Sequence, residues 1–297
     1  MIVGAVDIGT NSMRLLVLDG GTEICREVEV TALGVGVDRT GRFDEDRVVA
    51  ALGVLERYGV VMDRLGVARR RAVATSATRD AADGDGFIER AARALGVRPE
   101  VISGTDEAKL AYLGATASCG HQAPTVVIDI GGGSTEFVYG NGTVTSATSV
   151  DIGSVRLTDR LLHSRPASQA ELRRARAAVE EAFGALSLSG SPERVIGVAG
   201  SFTSLAAIAL DLPAYDRDRV NGSILTITAI GDLIERLSMM TIADTAAIPS
   251  LDPKRARVIL AGAIIARGAL AAIGADEIAV SEHDLLDGLA LEVLRSL

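Results

Sequence analysis

The chain has 297 residues, 48% of them hydrophobic, which excludes a disordered polypeptide and is enough for about two domains. A net charge of −9 with only 3% aromatic residues argues against wrapping DNA or RNA, although it leaves room for an anionic small substrate. The most apolar stretch, 258–275, is rich in Ala and Gly and carries Arg267 in its middle, so no membrane span is expected; with no basic leader ahead of the first apolar run, the protein is expected in the cytoplasm.

The N-terminal apolar run Ile2-Val3-Gly4-Ala5-Val6 turns through Asp7-Ile8-Gly9-Thr10-Asn11-Ser12 and leaves on Leu15-Leu16-Val17-Leu18. This is the pattern of a β-hairpin with a carboxylate at its lip. Residues 28–33 read as a third strand, 44–65 as a long helix, and 71–75 as a short strand ending in the polar turn 76–79. Residues 100–103 form another strand, leading through Gly104 into a helix over about 105–117. The stretch 118–124 contains Gly120 and Pro124 and has no periodicity, which places a boundary between a first lobe, 1–122, and a second, 123–297.

The second lobe opens on a copy of the first hairpin: Val126-Val127-Ile128, then Asp129-Ile130-Gly131-Gly132-Gly133-Ser134, then Phe137-Val138-Tyr139. Ser168-Gln169-Ala170-Glu171 is a capping box that opens a helix with Leu172, Ala175, Val179, Phe183 and Leu186 on one face. Residues 194–198 are a strand, Gly200-Ser201 a turn and 202–210 a helix; 223–228 form a further strand. A long Ala/Gly-rich helix over 253–273 starts at a favourable proline and suits a homodimer interface or internal packing equally. Residues 277–280 form a last strand, and a terminal helix over about 284–297 can pack back on the first lobe.

Cys25 and Cys119 are isolated and read as ordinary reduced thiols, and three scattered histidines complete no zinc site. Any metal is expected to be a hard divalent cation held by carboxylates, such as Mg²⁺. In the two hairpins, Gly9 and Gly131, Gly132 and Gly133 let backbone approach a ligand, and Thr10, Asn11, Ser12, Ser134 and Thr135 add polar side chains. Glycine could serve merely to make a tight hairpin, but two copies in one register point to phosphate binding. Aligning them pairs Asp7 with Asp129, Ser12 with Ser134, and Arg14 with Glu136. Asp129 and Glu136 suit a divalent cation, with Asp7 the equivalent carboxylate of the first copy, and Arg14 is a cation beside it counted among the candidate phosphate ligands; structural salt bridges would account for either residue alone. Gly200 and Ser201, at the start of a helix, make a third candidate wall for an anion.

Together these turns resemble the actin/sugar-kinase/Hsp70 superfamily. Four further segments sharpen the resemblance to the exopolyphosphatase and guanosine pentaphosphate phosphohydrolase (Ppx/GppA) family: Ala74-Thr75-Ser76-Ala77-Thr78-Arg79-Asp80-Ala81, Ile102-Ser103-Gly104-Thr105-Asp106-Glu107-Ala108, the stretch running on from Ile128 through Ser134 to Thr135-Glu136, and Gly153-Ser154-Val155-Arg156-Leu157-Thr158. The resemblance implies an α/β protein of two RNase H-like, actin-like ATPase lobes with the active site in the cleft between them. It places Glu107 at the family's catalytic base, Arg79 at the substrate-phosphate arginine, and Asp129 and Glu136 at Mg²⁺-linked positions. From the residues alone, Glu107 also suits a helix N-terminus, and Arg79 could cap a helix or pair with Asp80; Arg156 has the same ambiguity.

The implied reaction is Mg²⁺-dependent release of orthophosphate from polyphosphate. Guanosine pentaphosphate hydrolysis uses the same apparatus; a polyphosphate or nucleotide sensor and a superfamily kinase are more distant rivals. Many family members continue into further C-terminal helical domains, so short polyphosphate is the expected substrate here. The family's Gly-Leu-Arg-Glu-Gly-like stretch stands here as His283-Asp284-Leu285-Leu286-Asp287-Gly288, without the arginine.

Overall fold

A computed structural model describes residues 1–117 and 123–296 and divides the chain into two compact units, Met1–Ala117 with His283–Leu297, and Ser118–Glu282. Most of the boundary stretch 118–124 lies outside the described residues, as does Cys119.

In the first unit β1 (Ile2–Ile8), β2 (Ser12–Asp19), β3 (Thr22–Val30), β4 (Arg69–Ala74) and β5 (Glu100–Val101) form one sheet in the order β3-β2-β1-β4-β5. The first three strands are an antiparallel meander, and β4 and β5 run parallel to β1. Because β1 is buried on both faces, its sequence is an unbroken apolar run ending in Asp7 and Ile8. The third strand begins earlier than expected because no residue of it before Val30 is fully buried, so Glu and Arg stand among Ile24, Cys25 and Val28 and interrupt the apolar run. The helices are α1 (Val37–Thr40), α2 (Glu45–Arg64), α3 (Ser76–Asp80), α4 (Gly84–Leu95) and α5 (Gly104–Thr116). The Asp44 carboxylate caps α2 through the Arg47 amide at 3.2 Å. Val48, Ala51, Leu55, Tyr58 and Met62 of α2 then bury with Phe87, Ile88, Ala91 and Leu95 of α4, which the sequence reading had passed over. The polar turn at 76–79 is helical: the amides of Thr78 and Arg79 both donate to the Thr75 carbonyl.

The second unit repeats this plan. Strands β6 (Thr125–Ile130), β7 (Thr135–Gly140), β8 (Val144–Val150), β9 (Arg194–Val198), β10 (Ile224–Thr226) and β11 (Glu277–Val280) lie in the order β10-β11-β9-β6-β7-β8. Again three strands form an antiparallel meander and two, β9 and β11, continue parallel to the first. This duplicated α/β plan is the actin-like ATPase architecture. Helices α6 (Ser154–Leu161), α7 (Gln169–Phe183), α8 (Ala199–Ala209), α9 (Arg217–Val220), α10 (Ile227–Ser238), α11 (Ile242–Ala246) and α12 (Ile259–Ile273) complete the unit. The capping box at Ser168 and Glu171 is present, with Leu172, Ala175, Val179 and Phe183 buried beneath it.

Three expected elements are redrawn. Gly200-Ser201 is not a separate turn but part of the first turn of α8, which begins at Ala199 directly after β9, Ala199 itself having a left-handed φ of +65°. The strand at 223–228 shortens to three residues because Thr226 caps α10 through the Ala229 amide at 3.1 Å. The helix at 253–273 is broken into a 3₁₀ turn, Pro253–Arg255, and α12. Residues Ile259 to Ala266 of α12 are all buried, so its small residues serve the core of the unit. Among the described residues no helix is long and apolar enough to cross a membrane.

The last helix, α13 (Leu285–Arg295), belongs to the first unit. Arginines on three strands hold its acidic residues: Arg14 pairs with Asp284, Arg26 with Asp287 at 2.5 Å and Arg71 with Glu292 at 2.6 Å. It also meets α5 backbone to backbone. A Cβ on Gly288 would lie 2.0 Å from the Leu110 carbonyl oxygen, and one on Gly114 would strike the Asp284 carbonyl.

Candidate active site

The two hairpins close identically. The Gly9 amide donates to the Ser12 carbonyl at 3.0 Å, and the Gly131 amide donates to the Ser134 carbonyl at 3.0 Å. In each, the lip Asp faces the residue seven positions on across the ladder, Asp7 opposite Arg14 and Asp129 opposite Glu136. The loop carbonyls are turned into the protein. Thr10 O accepts from Gly34 N at 2.8 Å, and Asn11 O accepts from Ala32 N at 2.9 Å. In the second loop Gly131 O accepts from Ser154 N at 3.0 Å, Gly132 O from Val155 N at 2.8 Å and Gly133 O from Arg156 Nε at 2.8 Å. Among the described residues the amides of Thr10 and Asn11, and those of Gly132 and Gly133, have no protein acceptor. Two paired amides per loop, with the carbonyls drawn back, make a concavity that accepts an anion. Arg156 therefore braces this loop through the Gly133 carbonyl.

Several side chains named from sequence are engaged elsewhere. The Thr135 hydroxyl donates to the Ile152 carbonyl at 2.6 Å and the Ser201 hydroxyl to the Ile130 carbonyl at 3.2 Å, so both tie their loops down. Thr10 Oγ1 accepts from the Ala77 amide at 3.1 Å, docking the first hairpin on the start of α3. Ser134 is buried and Ser12 half-buried at the hairpin shoulders. The Arg255 guanidinium lies against Gly200, where an added Cβ would displace it. Sequence reading missed Arg255: nothing local connects position 255 to position 200, and the only hint was the glycine itself.

Glu107 is the most perturbed candidate. Ser103 caps α5 by accepting from the Asp106 amide at 3.1 Å, and this cap separates the two adjacent acids. Asp106 stays exposed, with Ser103 and Lys109 holding its carboxyl below the usual range. Glu107 turns inward and is 7% exposed. Its Oε2 accepts from Arg79 Nη1 at 3.1 Å, and the same Nη1 donates to the Ile102 carbonyl at 2.7 Å. Burial pushes the Glu107 carboxyl up to about 7; Arg79 opposes that rise and Asp7 adds to it. A carboxylate poised near neutrality, with Oε1 making no hydrogen bond among the described residues, is equipped to take a proton at physiological pH.

The carboxylates proposed for a cation differ between the hairpins. Arg14 Nε and Nη2 approach Asp7 Oδ2 at 2.8 and 2.7 Å, while the buried Asp7 Oδ1 has no hydrogen-bond partner. Burial lifts the Asp7 carboxyl above its ordinary range against the pull of Arg14. Asp129 and Glu136 are buried side by side, and Ser149 donates to Glu136 Oε1 at 2.7 Å. No three His, Cys, Asp or Glu side chains converge among the described residues. Two adjacent carboxylates nonetheless fit Mg²⁺, which keeps several waters and takes one or two carboxylates together with substrate phosphates.

The sequence profile of the Ppx/GppA phosphatase family matches residues 18–297. Exopolyphosphatase 2 of Mycobacterium tuberculosis is 39% identical, over 98% of this chain and 98% of its own. Among solved structures, the Aquifex aeolicus Ppx/GppA family member is 33% identical with a TM-score of 0.83, covering 100% of this chain and 98% of that one. An exopolyphosphatase from Cytophaga hutchinsonii is 25% identical with a TM-score of 0.91, covering 100% and 99%. With the duplicated hairpins, the inward-turned glutamate and full-length similarity in agreement, the chain belongs to the Ppx/GppA phosphatase family.

Proposed function

We propose that this protein is an exopolyphosphatase that hydrolyses the terminal phosphoanhydride bond of inorganic polyphosphate and releases orthophosphate. The observation that carries this reading is Glu107: a buried carboxylate brought near neutrality, held on one oxygen by Arg79 and free on the other. In the proposed reaction the oxygen of a water attacks the terminal phosphorus, its proton passes to Glu107 Oε1, and the bridging P–O bond breaks. Arg79 positions Glu107 through Nη1 and has Nε and Nη2 left to meet a terminal phosphate oxygen. The unpaired amides of Thr10 and Asn11, and of Gly132 and Gly133, bind phosphate oxygens and offset their charge.

Asp129 and Glu136 would hold the divalent cation, expected to be Mg²⁺, and Asp7 is the corresponding carboxylate of the first hairpin. When bound, that ion supplies charge neutralisation at the phosphate oxygens. The test is orthophosphate release from polyphosphates of graded length, in parallel with guanosine pentaphosphate, under Mg²⁺. Turnover on short polyphosphate exceeding that on the nucleotide supports the proposal. Turnover of the nucleotide alone reassigns the substrate, and tight binding without release makes the protein a sensor.

A further inference from the structure

The two hairpins hold their loop carbonyls by different means. In a trans peptide the C=O and the N–H that follows it point in opposite directions, so a held carbonyl aims the next amide. The amides of Gly132, Gly133 and Ser134 are thus aimed by the carbonyls of Gly131, Gly132 and Gly133. Helix α6 holds the first two with its main chain: Gly131 O accepts from Ser154 N at 3.0 Å, and Gly132 O from Val155 N at 2.8 Å and Arg156 N at 3.1 Å. No side chain caps α6, whose N-cap is Gly153, so the loop carbonyls take up its first amides. The third carbonyl, Gly133 O, has no main-chain donor among the described residues and accepts from Arg156 Nε at 2.8 Å. In the first hairpin the equivalent carbonyl, Asn11 O, accepts from two main-chain amides, Thr31 at 3.1 Å and Ala32 at 2.9 Å.

We infer that Arg156 is a positioning residue of the second loop: through Nε it fixes the Gly133–Ser134 peptide and turns the Ser134 amide away from α6, as the helix main chain turns those of Gly132 and Gly133. The Ser134 amide has no protein acceptor among the described residues, so it completes a set of three donors for an anion. What two main-chain amides do in the first hairpin, one side chain does in the second. The role requires an N–H at the Nε position and not the positive charge of the guanidinium. Arg156 therefore acts on phosphate through the Ser134 amide rather than by contact.

The inference rests on the proposed function only in taking the second loop as a phosphate site. Gln and Met test it, because both side chains match Arg in length as far as Nε. Gln places an uncharged N–H donor at that atom, and Met places a methyl group that cannot donate. Arg156→Met is expected to weaken pyrophosphate binding about tenfold in a calorimetric titration and to raise KM for short polyphosphate similarly, a loss typical of a residue that orients a ligand. Arg156→Gln keeps the hydrogen bond and is expected to stay within about threefold of wild type in both measurements. Equal losses in the two variants would make the charge of Arg156 the operative property and overturn the inference. Wild-type binding by Arg156→Met, with only a lowered melting temperature, would reduce Arg156 to a structural contact and overturn it too. A wild type that binds pyrophosphate but hydrolyses no phosphoanhydride overturns the proposed function alone, and the titrations of the two variants still decide the role of Arg156. A wild type that binds no pyrophosphate overturns both.

Discussion

Replacing Glu107 by Gln should remove most of the activity and stabilise the protein, and the two effects share one cause. Burial raises the Glu107 carboxyl from its ordinary 4.5 to about 7. At about 1.4 kcal/mol per tenfold in acidity, the ionised side chain costs the folded state about 3 kcal/mol relative to the protonated one. Below pH 4.5 the group is protonated in folded and unfolded chains alike, and no penalty is felt. Between 4.5 and about 7 the unfolded chain loses its proton first, so stability falls, and above about 7 the penalty is complete. Glutamine has no such dependence and still accepts a hydrogen bond from Arg79. Thermal unfolding of wild type and Glu107→Gln should therefore coincide near pH 4 and separate to roughly 6–12 °C at pH 8, the variant being the more stable. Orthophosphate release should fall about 10²- to 10⁴-fold, the usual contribution of a general base. In wild type, kcat/KM should rise with pH through about 7, since the base must be unprotonated. A variant within tenfold of wild-type activity would remove Glu107 from proton transfer, and melting curves with the same pH dependence would remove the burial argument.

Chelation by EDTA should stop orthophosphate release and added Mg²⁺ restore it, with Asp129→Asn raising the Mg²⁺ needed for half-maximal rate about tenfold or more; an unchanged requirement would take Asp129 out of the cation site. Gly288→Ala places a Cβ 2.0 Å from the Leu110 carbonyl oxygen, a backbone atom that cannot swing aside. It should destabilise the first unit by about 3 kcal/mol, read by urea titration, and a wild-type midpoint would mean the α5 and α13 backbones are not in contact. Gly153→Ala brings a Cβ within 2.5 Å of Gly132 and Gly133, so the loop of the second hairpin must move. A displacement of this size should lower kcat/KM by ~10²-fold, and wild-type kinetics would deny that loop a part in binding.

Both hairpins were legible because their information is local. Apolar runs, a carboxylate and glycine lie within a dozen residues of one another, and in each copy the ladder brings the lip Asp to the residue seven positions on, Asp7 to Arg14 and Asp129 to Glu136. Glu107 could be singled out as the proposed base only through family resemblance. Asp106 and Glu107 have the same chemistry and adjacent positions, and it is the cap at Ser103 that turns one outward and the other inward. The strands and helices that escaped the reading have weak local signals: β8 is a run of Val, Thr, Ser and Ala, and α6 begins in the loop that braces Gly132.

By itself the sequence determined the duplicated α/β plan and the two glycine-bearing hairpin turns, because hydrophobic period, glycine and capping residues act over a few neighbours. Only the tertiary structure decided which polar groups remain available. The Thr135 and Ser201 hydroxyls are taken up by carbonyls, Arg255 lies on Gly200, and Asp284, 270 positions from Arg14, is brought against it by two helices that touch at glycine. Charge and hydrogen-bonding capacity belong to a residue, but what they are spent on depends on partners that only the folded chain brings within reach.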